Sequence, residues 1–380
     1  MRVPPSRASR RSHRTLAAAV AAGALVLLTA RVRAQVDPVS GIDFVTITHP
    51  GNAPWQGDGT PDDMAIGRGG VNYEYRIGRF EVTTAQYVEF LNAAFDRPQA
   101  DWIPHLFAPG GAGFAATPTT PTAPGGRRWS VPAGAEMMPV GATDWRSAAI
   151  YANWLHNGKS LDRSAFLGGA YDVSTFGYQQ LPNGVLAFTD QAQRSPGARY
   201  FIPTLDEWIK AAHWSPDRFG PGQPGYFTYS NASDSPYVGG LPPSMGGVGT
   251  ANFGFDQGAF TVPLGAYTGV TSPWGLYDVA GGSLEWTESI RTINHGGRYR
   301  IKDGSYRTSS LNYGLIDTIR YFDDDLPNSA PVGNGLRIAA AVPAPSPLGG
   351  LAVVLLLMQR RRRGGTSCVR GSRESSAASS

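Results

Sequence analysis

Apolar and polar positions along this chain fall into a few short patterned stretches separated by longer unpatterned ones. Residues 42–49 (IDFVTITH) alternate well enough for a strand, and Tyr73, Tyr75 and Ile77 alternate with Glu74 and Arg76 for a second. A helix is predicted next. Thr83 and Gln86 stand at capping-box spacing, and Tyr87, Phe90, Leu91 and Ala94 recur behind them at helical spacing. A second helix begins at Thr143 and runs through Ala148, Ala152 and Leu155 to Gly158, a residue suited to the left-handed position that ends a helix. A third begins at Pro203-Thr204, with Thr204 as cap, Glu207 at the third helical position, and Trp208 and Ala212 on one face.

Between these elements the pattern lapses. Residues 108–135 form a Pro/Gly/Thr-rich excursion, read as a surface insertion, and residues 157–199 hold a second long irregular stretch. No internal repeat of fixed period is present. The chain contains 48 Gly and 30 Pro among 380 residues, spread through its length, which predicts a loop-rich domain with few long regular elements. Nine Trp, 16 Tyr and 16 Phe give that domain enough apolar surface to fold and exclude a disordered chain.

The two ends read differently from the middle. Residues 1–34 carry seven Arg and no acidic residue around an apolar stretch at 15–30, the pattern of a signal peptide, with Val32 and Ala34 placing the cut after Ala34. Arg10-Arg11 is also compatible with a twin-arginine route, although His13 stands where an apolar residue is usual and favours an ordinary basic leader. At the other end, Pro343 and Pro345 precede an apolar run at 348–358, and Arg360 to Arg363 follow it. The run is well short of the ~20 residues a membrane span needs, while the arginines suit a cytoplasmic stop. Prolines, a short apolar segment and an arginine cluster resemble a PEP-CTERM sorting tail, with Ala344 where the sorting motif has Glu; a plain C-terminal anchor is the other reading. The expected organisation is a signal peptide at 1–34, a folded domain at 35–342, a sorting or anchor segment at 343–363 and a disordered tail at 364–380. The protein is expected to be exported to the cell envelope or beyond, associated transiently or permanently with a membrane through its C-terminal segment.

Charge changes the picture once it is divided this way. The whole chain is +4, but 13 of its 33 basic residues lie in 1–34 and 343–380, leaving 20 basic against 28 acidic residues in 35–342. The domain is acidic and carries no basic run, which excludes a nucleic-acid partner. The sole cysteine, Cys368, lies in the tail, so the domain has no disulfide, no thiolate metal ligand and no thiol chemistry.

Several segments, in order, carry a resemblance. They are YRIGRFEVTTAQYVEFLNA (75–93), MPVGATDWRSAAIYANWLHNG (138–158), RYFIPTLDEWIKAAHW (199–214), SPWGLYDVAGGSLEWTES (272–289), KDGSYRTSS (302–310) and GNGLRIAA (333–340). Together they resemble the formylglycine-generating, or sulfatase-modifying factor, family, with its LPTEAEWEKAA and WGLYDMAGNVWEW signatures. The resemblance implies an α+β fold related to C-type lectins, with little regular secondary structure. In oxidase members of that family, two cysteines after the Ser-Trp/Tyr motif bind copper and oxidise a substrate cysteine. Counted from Ser305 and Tyr306, the matching positions are Thr308 and Tyr313, neither of which is a soft thiolate ligand. No copper and no formylglycine-generating activity are therefore expected. Gly282 stands where the family has a calcium-binding Asn, while Asn252 matches a ligand position of the family's other calcium site, so at most one calcium is expected.

The candidate cleft carried over by the resemblance comprises Glu285, Trp286, Ser305, Tyr306, Thr308, Tyr313 and Arg337. Each signature also has a plain structural explanation. The capping box accounts for Thr204 and Glu207, and the aromatic residues of 272–289 serve core and turn packing. Glu285, a carboxylate between apolar residues, requires a partner such as an arginine or an ion, and Arg337 is of the kind that partners a core carboxylate. No HExxH, GxSxG, P-loop or strand-linked GxGxxG occurs, and the domain's five histidines lack metal-ligand spacing. The acidic runs at 58–63 and 323–325 read as solvated loops. Two functions follow as expectations: a non-catalytic module that binds a peptide, glycan or envelope component, or an enzyme with cysteine-independent chemistry in the same cleft.

Overall fold

In a computed structural model of the protein, the described residues are 35–110, 113–119, 128–252, 260–293, 297–303 and 318–343. They belong to one compact unit. The patterned strand at 42–49 is realised as Asp43–Ile47, which pairs antiparallel with Tyr75–Gly78. Ala339–Ala341 pairs with the other edge of Tyr75–Gly78 and then with Tyr200–Phe201, while Gln35–Val36 lies outside Asp43–Ile47, giving five strands. The register sets Tyr75 opposite both Ile47 and Ala341, so the start and finish of the domain are stitched into one sheet. The alternation predicted at 73–77 holds from Tyr75 on, where Tyr75 and Ile77 are buried and Arg76 stays partly exposed; Tyr73 precedes the strand and is exposed.

Helices pack behind this sheet. Thr84–Phe95 has the predicted capping box, with the Thr83 hydroxyl accepting from the Gln86 amide and the Gln86 side chain accepting from the Thr83 amide. The second helix, Trp145–His156, is capped by Asp144 and not by Thr143: Asp144 Oδ1 accepts from Ser147 N at 2.7 Å. Gly158, at φ 69°, ends it as the sequence suggests. The two helices meet through aromatic contacts, Phe90 lying 5.2 Å from Tyr151 and 5.6 Å from Trp154. Every residue from Trp145 to Leu155 is buried, so the polar ones need internal partners. Arg146 is bonded to Asp190 at 2.7 Å, and the Asn153 amide donates to the carbonyls of Phe166 and Tyr171. The third predicted helix is Leu205–His213, again with its capping box complete.

A second sheet of four strands holds the family-like C-terminal segments. Leu284–Thr292 pairs antiparallel with Arg298–Asp303, which pairs with Asp323–Asp325; Asn334–Gly335 runs parallel to the start of Leu284–Thr292. The acidic run 323–325 is thus an edge strand and not the solvated loop its charges suggest. It is held by ion pairs from Asp324 to Arg291 and from Asp323 and Asp325 to Lys302. Asp58, in the other acidic run, is likewise paired with Arg320. Part of the 108–135 excursion is described: Thr117–Pro118 and Trp129–Ser130 form a small ribbon fixed to the first helix by Asn92, whose amide donates to Trp129 O. With four α-helices among the described residues and loops between most elements, this is the loop-rich α+β architecture the sequence implies.

Candidate functional site

Glu285 and Arg337 meet at the junction of the two sheets. Both side chains are completely buried, and Arg337 donates through Nε and Nη2 to the Glu285 carboxylate, the shorter contact being 2.6 Å. Trp208 Nε1 donates to the same carboxylate at 2.6 Å. The remaining guanidinium hydrogens go to the carbonyls of Gly78, Arg79 and Tyr277 at 3.0–3.1 Å. Burial works against the charge of Arg337, but Glu285 outweighs it and holds its pKa above the ordinary value. The pair therefore ties the first sheet, the third helix and the 272–289 segment together. Trp286 is also sealed off: its Nε1 donates to Thr143 O at 2.7 Å and the Lys302 ammonium lies 5.4 Å from its ring. Of the residues carried over as a cleft, these three come together as packed core. Ser305, Tyr306, Thr308 and Tyr313 lie outside the described residues.

Next to this pair is a second buried carboxylate, Glu81, which accepts from Ser283 N at 3.2 Å through Oε1. Its Oε2 is buried and has no hydrogen-bond partner among the described residues. Burial, reinforced by Glu285, raises its pKa well above the ordinary range, and burial also pushes Asp278 up to about 6. Three acidic groups thus share one arginine. A Cβ placed on Gly282 would lie 3.1 Å from Glu81 Oε1, and Gly282 N donates to Asn252 O at 2.9 Å. Asn252 Oδ1 is buried and without a partner among the described residues as well. Unsatisfied hard oxygens next to uncompensated acidic charge suit calcium, so the residues present fit the cation that the resemblance implies. The sequence carries a signal for Glu81: like Glu285, it is a carboxylate between two apolar residues, Phe80 and Val82.

A larger feature lies across the first sheet's end, where an open groove of about 910 Å³ runs between residues 192–198, the start of the third helix and Ser289. Arg194 forms its centre, stacked 3.7 Å over the Phe201 ring and bonded to Glu207 at 2.7 Å and Glu288 at 3.2 Å. Tyr73 donates to Glu207 Oε1 at 2.9 Å and accepts from Arg194 Nη2. Tyr171 donates to Glu288 at 3.0 Å. Burial pushes Glu288 up to about 7 against the pull of Arg194. Glu207 is therefore more than a helix cap. Nothing in the pattern singled out Arg194, which sits in the irregular stretch 157–199, or Glu288.

The histidines are packing residues where the structure describes their contacts. His213 is buried, bonded through Nδ1 to Phe227 O at 3.2 Å, and burial depresses its pKa to about 3. His156 Nδ1 accepts from Arg199 N, and the exposed His49 ring lies near Trp214 and Trp274. Among the described residues, no three His, Cys, Asp or Glu side chains are grouped to hold a metal by themselves. Nor is any described helix long and apolar enough to cross a membrane; the run at 348–358 lies outside the described residues.

Comparison with known proteins bears on this architecture. The family described as "Sulfatase-modifying factor enzyme 1-like domain" matches residues 48–340. No curated protein sequence matches the chain significantly. Among solved structures, CarF is 21% identical over 80% of this chain and 99% of its own, with a TM-score of 0.46. Treponema denticola variable protein 1 is 16% identical over 79% of this chain and 95% of its own, with a TM-score of 0.45. PvdO from Pseudomonas aeruginosa is 14% identical over 79% and 94%, with a TM-score of 0.43.

Proposed function

The chain belongs to the sulfatase-modifying factor enzyme 1-like domain family, and from that premise we propose that it is an exported binding module of that fold, without the family's copper-dependent cysteine oxidation. One observation carries the reading: the only cysteine in 380 residues is Cys368, outside the family domain, and Thr308 and Tyr313 occupy the positions of the catalytic pair. Copper(I) chemistry of that kind needs soft thiolate ligands, and hydroxyl side chains do not replace them. The buried Glu285–Arg337 pair supports the view that the scaffold is kept. Its ligand belongs to the peptide, glycan or envelope-component classes.

Calcium is the one cofactor proposed, with Asn252 as a ligand and Glu81 beside it. Bound there, it would supply positive charge and coordination to two buried oxygens that have no hydrogen-bond partner among the described residues. For placement, the leader at 1–34 is proposed to direct export, and the segment 343–363 to hold the protein transiently at a membrane before removal as a sorting tail. Eleven apolar residues at helical rise reach only about 16 Å, roughly half the hydrocarbon thickness.

A second reading is favoured by one specific feature. Glu288, held near neutral pKa at an open groove, has the protonation behaviour of a general acid or base. Against it, both carboxylate oxygens of Glu288 are already bonded, to Tyr171 and Arg194. The test of the main reading is incubation of the purified protein with a sulfatase-type cysteine peptide and copper, followed by mass spectrometry. An unmodified peptide is expected. Conversion of the cysteine to the aldehyde, in protein free of contaminating oxidase, overturns the reading.

A further inference from the structure

The excursion at 108–135 builds something that the family resemblance does not account for. Its ribbon strand Trp129–Ser130 stands against the outer face of the helix Thr84–Phe95, and between them lies a groove of about 700 Å³. That volume is within the ~300–1,000 Å³ typical of small-molecule sites. Glu89 and Asn92 line it from the helix and Asp96 from its C-cap, Trp129 from the excursion and Glu136 from just beyond it, and Trp154 and Lys159 from the second helix and its end.

The chemistry of these walls is mixed in a particular way. Trp129 is half-buried, braced by Phe95 at a ring distance of 5.1 Å, and Asn92 fixes the ribbon's backbone by accepting from Arg128 N and Trp129 N. The groove therefore has an indole wall whose backbone is anchored. Trp154 is only 2% exposed, and its Nε1 is buried with no hydrogen-bond partner among the described residues. That N–H is closed to solvent, so Trp154 gives the groove part of its wall and not a donor. Lys159 lies 5.3 Å from the Trp154 ring and is paired with Glu89 at 2.7 Å, leaving Asp96 and Glu136, both exposed, without an ion pair among the described residues.

We propose that this groove binds a neutral oligosaccharide. A sugar ring offers apolar C–H faces to an indole and a rim of hydroxyls that both donate and accept. The groove supplies carboxylate acceptors at Asp96 and Glu136 and a donor at Lys159. An anionic ligand meets three carboxylates against one lysine. A basic peptide satisfies the carboxylates but competes with Lys159 for Glu89 and brings no ring face to the Trp129 indole. This inference rests on the binding-module reading and gives that module its ligand class.

The test is calorimetric titration of the full-length protein with cellotetraose, maltotetraose and chitotetraose as neutral probes, and with trigalacturonate and tetralysine as charged ones. At least one neutral probe is expected to bind, while trigalacturonate does not. Asp96→Asn and Glu136→Gln, both at exposed positions, are each expected to weaken that binding about tenfold, as loss of a hydrogen bond to a charged group does, with an unchanged melting temperature. Trp129→Ala is expected to abolish it. Failure of all three neutral probes, or binding of tetralysine alone, overturns the proposal. Neutral-probe binding that survives Asp96→Asn, Glu136→Gln and Trp129→Ala alike leaves the binding-module reading standing and removes this groove from it.

Discussion

Arg337 and Glu285 face each other at 2.6 Å with neither side chain exposed to solvent, 52 residues apart in sequence. Every polar atom of the pair has a partner: the arginine reaches three carbonyls besides the carboxylate, and the carboxylate also receives Trp208. A buried pair of this kind contributes little over a well-packed apolar substitute, but removing one partner strands the other. Replacement of either is therefore expected to cost about 3–5 kcal/mol in urea unfolding. Arg337→Met should be the worse, because it leaves Glu285 beside Glu81 and Asp278 with no cation. A loss below about 1 kcal/mol for both variants would show that the pair is not what joins the sheets.

Glu288 gives the fold a pH dependence whose sign follows from its raised pKa. The folded state holds this proton up to about pH 7, whereas an unfolded glutamate releases it near 4.5. Between those values the native state binds more protons than the unfolded one, so stability falls as pH rises through that window. Glu288→Gln, which keeps the shape of the protonated acid, removes the slope. Denaturation midpoints of the two proteins should agree near pH 4.5 and diverge toward pH 8, with the variant the more stable by up to about 3 kcal/mol. Parallel profiles would mean that Arg194 keeps Glu288 ionised throughout.

Calcium should act as a ligand of the native state alone. Chelation is expected to lower the melting temperature, and added calcium to restore it in a concentration-dependent way. Asn252→Ala should remove that response while leaving the chelated protein's melting temperature near the parent's. Two tight sites in calorimetry, or a melting temperature indifferent to calcium, would each count against a single site at Asn252.

How far these features were legible depends on whether their causes are local. The capping boxes at Thr83/Gln86 and Thr204/Glu207 were readable because both bonds span three residues. The second helix begins at Trp145, two residues after Thr143, since Thr143 and Asp144 are both competent caps and only the Asp144–Ser147 bond distinguishes them. Glu285 and Arg337 were each recognisable as groups in need of a partner, and the structure supplies the pairing. Arg194 was not recognisable: its partners Glu207 and Glu288 lie 13 and 94 residues away, in segments with no shared pattern. The acidic run at 323–325 misled for a related reason, because strand pairing with Arg298–Asp303 delivers Lys302 to it. The family motifs fixed the architecture because they mark the points where distant segments meet.

The central claim is that a copper-oxidase scaffold persists here without its copper chemistry, and the metal content of the purified protein tests it most directly. Elemental analysis by mass spectrometry, after exposure to both copper(I) and calcium and removal of unbound metal, should find calcium at no more than one per chain and no stoichiometric copper, since no thiolate lies within the domain. Copper retained at one per chain, and retained equally in a Cys368→Ser variant, would contradict the account.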